Sequence, residues 1–326
     1  MSDYHLNVIS GKLESEPIRK GFGRGLKTAG EQNENVVALC ADLTDSTQMN
    51  LFRDAFPDRF VEIGIAEQNL VTVSSGMAAQ GKKPFCSSYS AFSPGRNWEQ
   101  IKTTICLNDM PVTIAGSHAG LMTGLDGATH QMLEDIAIMR VLPNMTVIVP
   151  GDSLEAEKAT IALASYMHPA YIRLARDPSP IITTEKTPFE IGKAYVYSQG
   201  RDITIISTGT MTHRALVASE SLYHDGIDVE VIHCPTIKPL DSATILASVT
   251  KTGLVITCEE AQITGGLGGA IAELLSENNP VPMVRMGMKD RYGESGTPDE
   301  LFEQFGLTPK HIMITAHELM KQKKGA

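Results

Sequence analysis

Several acidic, aromatic and histidine side chains in this sequence follow apolar stretches, where short strands would end. Glu67 comes after the alternating stretch RFVEIGI, and His118 comes directly after PVTIAGS. Asp126 and His130 lie together in the stretch GLDGATHQ. These residue types serve acid-base chemistry and hydrogen bonding to small molecules when they converge in a cleft. The spacing therefore identifies them as candidates for a functional site.

The surrounding sequence predicts the elements that would position these residues. Apolar runs rich in β-branched residues predict strands at 36–42, 111–117, 146–150, 203–209, 229–235 and 253–260. Segments with helical periodicity predict helices at 66–80, 131–141, 153–166, 211–224 and 266–276. This alternation is typical of an α/β fold with mostly parallel sheets flanked by helices, whose ligands bind at the carboxyl ends of the strands. We expect one such cleft to contain Asp42, Ser46, Glu67, Tyr89, Phe92, His118, Asp126 and His130.

The alternation lapses between residues 176 and 202, where prolines, threonines and charged residues are frequent. A chain of 326 residues is long enough for two domains of ordinary size. We therefore predict one domain over residues 1–185 and a second over residues 190–326.

Composition excludes several classes of protein. With 42% apolar and 20% charged residues, the chain reads as a folded protein. A net charge of -10 argues against nucleic acids and anionic membranes as partners and leaves small molecules or proteins. Five widely spaced cysteines without a CxxC pair predict neither disulfides nor a zinc site, and favour the cytoplasm. We expect no export, since residues 1–20 lack the uninterrupted apolar core of a signal peptide, and no membrane span, since no run of ~18 apolar residues occurs.

Each candidate also has an ordinary structural interpretation when taken alone. An acid such as Glu67 at the start of a helix complements the helix dipole. His118 and His130 could be hydrogen-bonded residues of the core or surface, and Phe92 could be a core side chain. The glycines of GGLGGA, at 265–270, are weak evidence for phosphate binding, so we assign no nucleotide site there.

Seven stretches form a pattern that covers nearly the whole chain. They are IAEQN, YSAF at 89–92, SHAGLMTGLDGATHQ at 117–131, LPNMTVIVPGD at 142–152, YIRLAR at 171–176, CEEAQITGGLGGA at 258–270 and YGESGTPDEL at 292–301. Together they resemble the transketolase family of thiamine diphosphate enzymes. The resemblance implies a pyrimidine-binding domain followed by a transketolase C-terminal domain.

The resemblance also implies which residues would bind the cofactor. Glu67 would hydrogen-bond N1′ of the aminopyrimidine and promote the imino tautomer, whose 4′-imine removes the thiazolium C2 proton. Phe92 would stack on the pyrimidine face, and Tyr89 would line the same pocket. Asp42 matches an aspartate that lies near the cofactor in the family.

Residues that would bind the substrate follow from the same resemblance. His118 and His130 match two histidines that face the reacting sugar and can hydrogen-bond its hydroxyls and a developing alkoxide. Asp126 matches the aspartate that recognises the hydroxyl next to the carbonyl. Guanidinium groups suit phosphate oxygens. The group that would hold the sugar phosphate consists of Arg19, Ser46 and Arg176.

The sequence departs from a complete transketolase before Arg19. The family has a diphosphate-binding domain there, with a GDG motif and a downstream asparagine, whereas this chain has no GDG and fewer than 20 residues precede Arg19. We therefore expect one subunit of a split transketolase, in an α2β2 assembly with a separate diphosphate-binding subunit. That partner would hold Mg²⁺ or Ca²⁺, and no metal ligand is assigned to this chain. The expected reaction moves a two-carbon ketol unit from a ketose phosphate to an aldose phosphate, as in the pentose phosphate pathway.

Two alternatives remain. The chain could be a subunit of another thiamine diphosphate enzyme. Deoxyxylulose-phosphate synthases share YSAF and DGATHQ, but usually have an arginine-alanine-glycine run near the HAG of this chain, and 2-oxoacid dehydrogenase β subunits are not expected to show the full DGATHQ pattern. The chain could also be a non-catalytic binding module, which the presence of Glu67, Phe92 and both histidines argues against.

Overall fold

The computed structural model describes residues 4–7 and 11–325 and has two mostly parallel sheets flanked by helices, together with a two-stranded antiparallel sheet of Ser15–Pro17 and Pro178–Pro180. The α/β prediction is confirmed. The strands are β1 Ser15–Pro17, β2 Val36–Cys40, β3 Phe60–Glu62, β4 Lys83–Tyr89, β5 Thr113–Ser117, β6 Thr146–Ile148, β7 Ala170–Leu174, β8 Pro178–Pro180, β9 Tyr195–Ser198, β10 Ile203–Ser207, β11 Val229–His233, β12 Thr236–Lys238, β13 Val255–Gln262 and β14 Met283–Met288. The α-helices are α1 Ile18–Gln32, α2 Asn50–Ala55, α3 Glu67–Ala79, α4 Trp98–Gln100, α5 Asp135–Arg140, α6 Ser153–Leu163, α7 Met211–His224, α8 Ser242–Thr252, α9 Leu267–Asn278, α10 Pro298–Gln304 and α11 Pro309–Gly325. Two 3-10 segments, Pro57–Arg59 and Leu121–Asp126, and a π-helix, Ile101–Cys106, lie between them.

The larger sheet has seven strands in the order β12-β6-β7-β5-β4-β2-β3, and only β12 runs antiparallel to its neighbour. The smaller sheet has five strands in the order β14-β13-β10-β11-β9, with only β9 antiparallel. Strand β12 follows β11 in the chain yet pairs with β6. The second half of the chain therefore supplies an edge strand to the first sheet, while the carboxyl ends of β2, β4 and β5 meet at one edge.

Helix α1 approaches α6 unusually closely, which fixes the position of Arg19 in its first turn. A Cβ atom on Gly21 would lie 1.7 Å from the carbonyl oxygen of Ser153, and one on Gly25 would lie 2.6 Å from that of Glu157. Only glycine permits such contact between helix backbones. The two glycines therefore let α1 lie where its arginine can reach the carboxyl edge of the sheet.

The predicted helix at 131–141 was wrong at its first residues, because α5 begins only at Asp135. Met132 forms a parallel bridge with Ala119. The backbone N–H of Gly120 also donates a hydrogen bond to the carbonyl oxygen of Met132 at 2.9 Å. These contacts hold Met132 beside the end of β5, so the helix begins only after Glu134, whose carbonyl oxygen accepts a hydrogen bond from the N–H of Ile138 at 3.1 Å.

Buried side chains form two clusters that each cross from one sheet to the other. One cluster includes Phe22 of α1 and Ile205 of β10, and the other includes Ile114 of β5 and Ile232 of β11. All five cysteines are buried and free. Within the described part of the chain, no helix is long and apolar enough to cross a membrane, and no group of three or more His, Cys, Asp or Glu residues could hold a metal ion.

Candidate active site

Glu67 is the first residue of α3 and forms part of the wall of an open cleft of about 530 Å³. Its side chain is 8% exposed, and its Oε1 atom lies 3.3 Å from Nη1 of Arg96. Asn97 Nδ2 donates a hydrogen bond to the backbone carbonyl of Glu67 at 2.8 Å. A nearly buried carboxylate thus borders a cleft that is open to a ligand.

Two aromatic and two histidine rings form a cluster next to this cleft. Tyr89 stacks on His118, with ring centroids 3.7 Å apart, and on Phe92 at 6.0 Å. His130 meets the ring of Phe92 edge-on at 5.5 Å. The guanidinium carbon of Arg96 lies 4.3 Å from the centroid of Phe92. Arg96 therefore joins the ring cluster to the carboxylate of the cleft.

His118 directly follows β5 and adopts the left-handed backbone region, at φ 56°. The residue is 2% exposed, and its Nδ1 lies 2.9 Å from Ser117 Oγ. Thr123 Oγ1 donates to the His118 carbonyl oxygen at 2.7 Å. Burial, reinforced by the positive charges of Arg19 and Arg176, lowers the pKa of His118 to about 3. The ring is therefore neutral at physiological pH and can both donate and accept a hydrogen bond.

Arg19 and Arg176 bring positive charge to the same site. Arg19 Nη1 donates to the carbonyl oxygen of Ser46 at 2.5 Å, while its buried Nε has no hydrogen-bond partner among the described residues. Arg176 Nη1 donates to the carbonyl oxygen of Thr123 at 2.8 Å and lies 3.4 Å from Asp126 Oδ1. Burial lowers the pKa of Arg19, and the charge of Arg176 acts in the same direction. Two neighbouring guanidinium groups with an unused N–H favour an anionic ligand.

Asp42 lies at the same edge of the sheet but does not join the ring cluster. It is exposed, at φ 57°, and its backbone N–H donates to Glu62 Oε1 at 2.7 Å. Within residues 4–7 and 11–325, no hydrogen bond or ion pair links the Asp42 carboxylate to the rings or to Glu67. Its predicted place near the cofactor stays a prediction.

Arg96, which connects Glu67 to Phe92, is a site residue that was not predicted from the sequence. The backbone N–H of Arg96 donates to the carbonyl oxygen of Phe92 at 2.9 Å, and this turn, which contains a cis peptide bond before Pro94, brings the two side chains together. The spacing of four residues between Phe92 and Arg96 could have indicated that their side chains meet. However, residues 90–97 show no periodic pattern from which this turn could be predicted.

The glycine-rich stretch at 265–270 begins α9, and a side chain of this chain occupies the helix N-terminus. Glu259 accepts hydrogen bonds from the N–H groups of Leu267 and Gly268, both at 2.8 Å. A Cβ atom on Gly266 would lie 2.0 Å from Glu259 Oε2. Burial raises the pKa of Glu259 to about 7. The N–H groups that bind phosphate at other helix N-termini are thus already used by this carboxyl group.

Comparison with known proteins gives matches over most of the chain. The pyrimidine-binding domain of transketolase matches residues 15–180, and the transketolase C-terminal domain matches residues 192–312. The 6-deoxy-6-sulfo-D-fructose transketolase subunit SqwH of Clostridium sp. (strain MSTE9) is 40% identical over 312 residues, which cover 96% of this chain and 97% of the relative. A putative transketolase C-terminal section of Methanocaldococcus jannaschii is 42% identical over 309 residues, covering 94% and 97%. A solved structure described as a split gene transketolase, inactive beta4 tetramer, matches with a TM-score of 0.88 at 41% identity, covering 94% of this chain and 98% of that one.

Proposed function

The chain belongs to the transketolase family, and from this premise we propose that it is one subunit of a two-component transketolase that moves a two-carbon ketol unit between sugar phosphates. The convergence of Glu67, the ring cluster and two arginines at one sheet edge is the observation that carries the proposal. Residues 1–185 would bind the pyrimidine of thiamine diphosphate, and residues 190–326 would form the C-terminal domain. A separate diphosphate-binding subunit would hold the magnesium ion in a cytoplasmic α2β2 assembly.

Glu67 and Arg96 of the cleft, together with the adjoining Phe92, fit the aminopyrimidine ring of that cofactor. The planar cation of Arg96 spans the Glu67 carboxylate and the Phe92 ring, at 3.3 Å from Oε1 and 4.3 Å from the ring centroid. A pyrimidine ring is also planar, and its binding requires a carboxyl group at the ring edge and an aromatic surface at the ring face. Glu67 and Phe92 provide these two groups to the cation of Arg96. When bound, thiamine diphosphate supplies the thiazolium carbon on which ketol transfer takes place.

Glu67 and the rings of this chain have separate roles in the proposal. Glu67 shares a proton with N1′, which its nearly buried position beside the open cleft permits. Phe92 orients the ring by stacking, and Tyr89 supports it from the side of the histidines. His118 is neutral, so it hydrogen-bonds the carbonyl or hydroxyl oxygen of the sugar without carrying charge. His130 provides a second ring for the same oxygen atoms.

The charged residues would recognise the two ends of the substrate. Asp126, which is exposed beside Arg176, accepts a hydrogen bond from the hydroxyl next to the carbonyl. Arg19 and Arg176 hold the phosphate, and the unpartnered Nε of Arg19 supports this assignment. Ser46 fixes Arg19 through its carbonyl oxygen.

Assays of the chain with and without its partner test the proposal. We expect no ketol transfer from the purified chain with thiamine diphosphate and magnesium, and turnover once the partner subunit is added. Because Glu67→Gln should be inactive, any turnover by this variant, purified in the same way, measures contaminating transketolase. Turnover by the isolated wild-type chain above that background would reject the two-component account, and turnover of pyruvate in place of a ketose donor would assign the chain to a synthase instead.

A further inference from the structure

Residues 119–133, called the substrate loop below, connect β5 to α5 and carry two of the predicted substrate-binding residues. The second domain contacts this loop near both ends. A carboxylate oxygen of Glu260, in β13, accepts the backbone N–H of Met122 at 3.3 Å. The backbone N–H of Gln262 donates to the carbonyl oxygen of Leu133 at 2.8 Å. The loop is therefore held by a domain to which none of the predicted site residues belongs.

Gln131 adds a third contact, made by a side chain of the loop itself. The residue is 3% exposed, and its Nε2 atom donates to the carbonyl oxygens of Gly124 and Glu294, both at 2.8 Å. Gly124 belongs to the substrate loop, whereas Glu294 lies in the segment between β14 and α10. Because both partners are backbone acceptors, only the amide nitrogen can face them. The two N–H groups of one side chain thus close the loop and fasten it to the second domain.

The segment between β14 and α10 packs closely against the side chain of Gln131. A Cβ atom on Gly293 would lie 1.8 Å from Gln131 Oε1, so any larger residue there would displace the amide. The loop also contains glycines in the left-handed region, at φ 69° for Gly124 and 73° for Gly127. Glycine backbones have wide conformational freedom, so such a loop needs fixed contacts to keep one shape.

We propose that Gln131 is a positioning residue for the substrate loop, holding Asp126 and His130 in place by tying the loop to the second domain. The link to catalysis rests on the proposed function, whereas the ordering of the loop rests on the contacts of Gln131 alone. The second domain thereby takes part in substrate recognition through the backbone of residues 293 and 294.

Hydrogen exchange of the full chain tests the ordering step without any substrate. Gln131→Met keeps the length of the side chain and removes both N–H donors. Its matched control is Gln304→Met, because Gln304 Nε2 donates to a carboxylate oxygen of Glu294 at 2.9 Å, in the same segment of the second domain, without a hydrogen bond to the described residues of the loop. We expect amides of residues 124–130 to exchange about 10-fold faster or more in Gln131→Met, and at the wild-type rate in the control. Unchanged exchange at 124–130, or equal acceleration along the whole chain, would overturn the proposal.

Steady-state kinetics of the assembled enzyme test the link to recognition. Gln131→Met should raise the KM for the ketose phosphate about 10- to 100-fold and leave the affinity for thiamine diphosphate within about twofold. Gly293→Ala should shift KM in the same direction. An equal loss of cofactor affinity, or an unchanged KM, would contradict the role of Gln131. If the wild-type assembly transfers no ketol unit, the proposed function fails, while hydrogen exchange still decides whether Gln131 orders the loop.

Discussion

Replacement of Arg176 by alanine separates recognition of a phosphate from support of the loop. Arg176 donates to the carbonyl oxygen of Thr123 at 2.8 Å and lies 3.4 Å from Asp126. The hydrogen bond comes from a charged guanidinium that is one-third exposed, so it contributes about 1.5 kcal/mol to stability, the low end of the range for charged donors. The partly exposed ion pair adds at most about 1 kcal/mol. We expect Arg176→Ala to lower the free energy of unfolding by about 1.5–2.5 kcal/mol, which leaves the fold intact.

The effect on catalysis should be larger and selective. A charge-assisted hydrogen bond to a phosphate oxygen contributes about 1.5–3 kcal/mol, so kcat/KM for a phosphorylated acceptor should fall about 10- to 150-fold. An unphosphorylated acceptor of the same carbon skeleton should be affected little, because it makes no such bond. Steady-state kinetics of the assembled enzyme with this matched pair of sugars provide the assay.

The control for this experiment is a surface arginine with a similar partner. Arg201 lies 3.1 Å from Asp228, and its side chain is 84% exposed. Arg201→Ala should leave both kcat/KM values unchanged. Equal losses for the two sugars in Arg176→Ala would refute the phosphate assignment and show that the arginine supports the loop or the cofactor instead.

Two further predictions concern buried groups whose pKa values are displaced. The pKa of His118 is lowered to about 3 from 6.5, so between these values the unfolded chain binds more protons, and the free energy of unfolding should decline as the pH falls. Urea titrations of the wild type and of His118→Asn at pH 7 and pH 5 check this, since the variant should lose part of that decline. The raised pKa of Glu259, about 7 instead of 4.5, has the opposite sign, because the folded chain binds the extra proton and its stability declines as the pH rises through this window. Glu259→Gln would turn an amide donor toward a backbone N–H of α9, so it should lower the free energy of unfolding by about 1–3 kcal/mol, measured by urea titration at pH 7. An unchanged value would contradict the role of Glu259 as the acceptor at the start of α9.

Local patterns predicted much of the fold and the sheet edge that carries the site. The run VVALCAD forms β2, and the run PVTIAGS forms β5 with His118 directly after it. Both strands could be predicted because an apolar β-branched run is a pattern of neighbouring residues. The structure also brings Tyr89, Phe92 and His130 to His118, as the rule for parallel sheets leads one to expect.

Contacts between distant parts of the chain left no such local signal. The hydrogen bond from Gln131 to Glu294 joins residues 163 positions apart, and β12 pairs with a strand of the other domain. The start of α5 was misjudged for the same reason, since Met132 binds Ala119 instead of continuing the helical pattern. Tertiary packing decided these details against the local preference of the sequence.

In the proposed function, Glu67 supplies proton transfer to thiamine diphosphate, whose binding site is completed by a second subunit. The most direct measurement is the exchange rate of the thiazolium C2 proton with solvent deuterium, followed by NMR in the assembled enzyme. We expect Glu67→Gln to retain most of the cofactor affinity and to slow this exchange by about 10²–10⁴-fold. The control Glu99→Gln, which changes an exposed acid of α4, should exchange at the wild-type rate. Exchange at the wild-type rate in the Glu67→Gln assembly would contradict the claim.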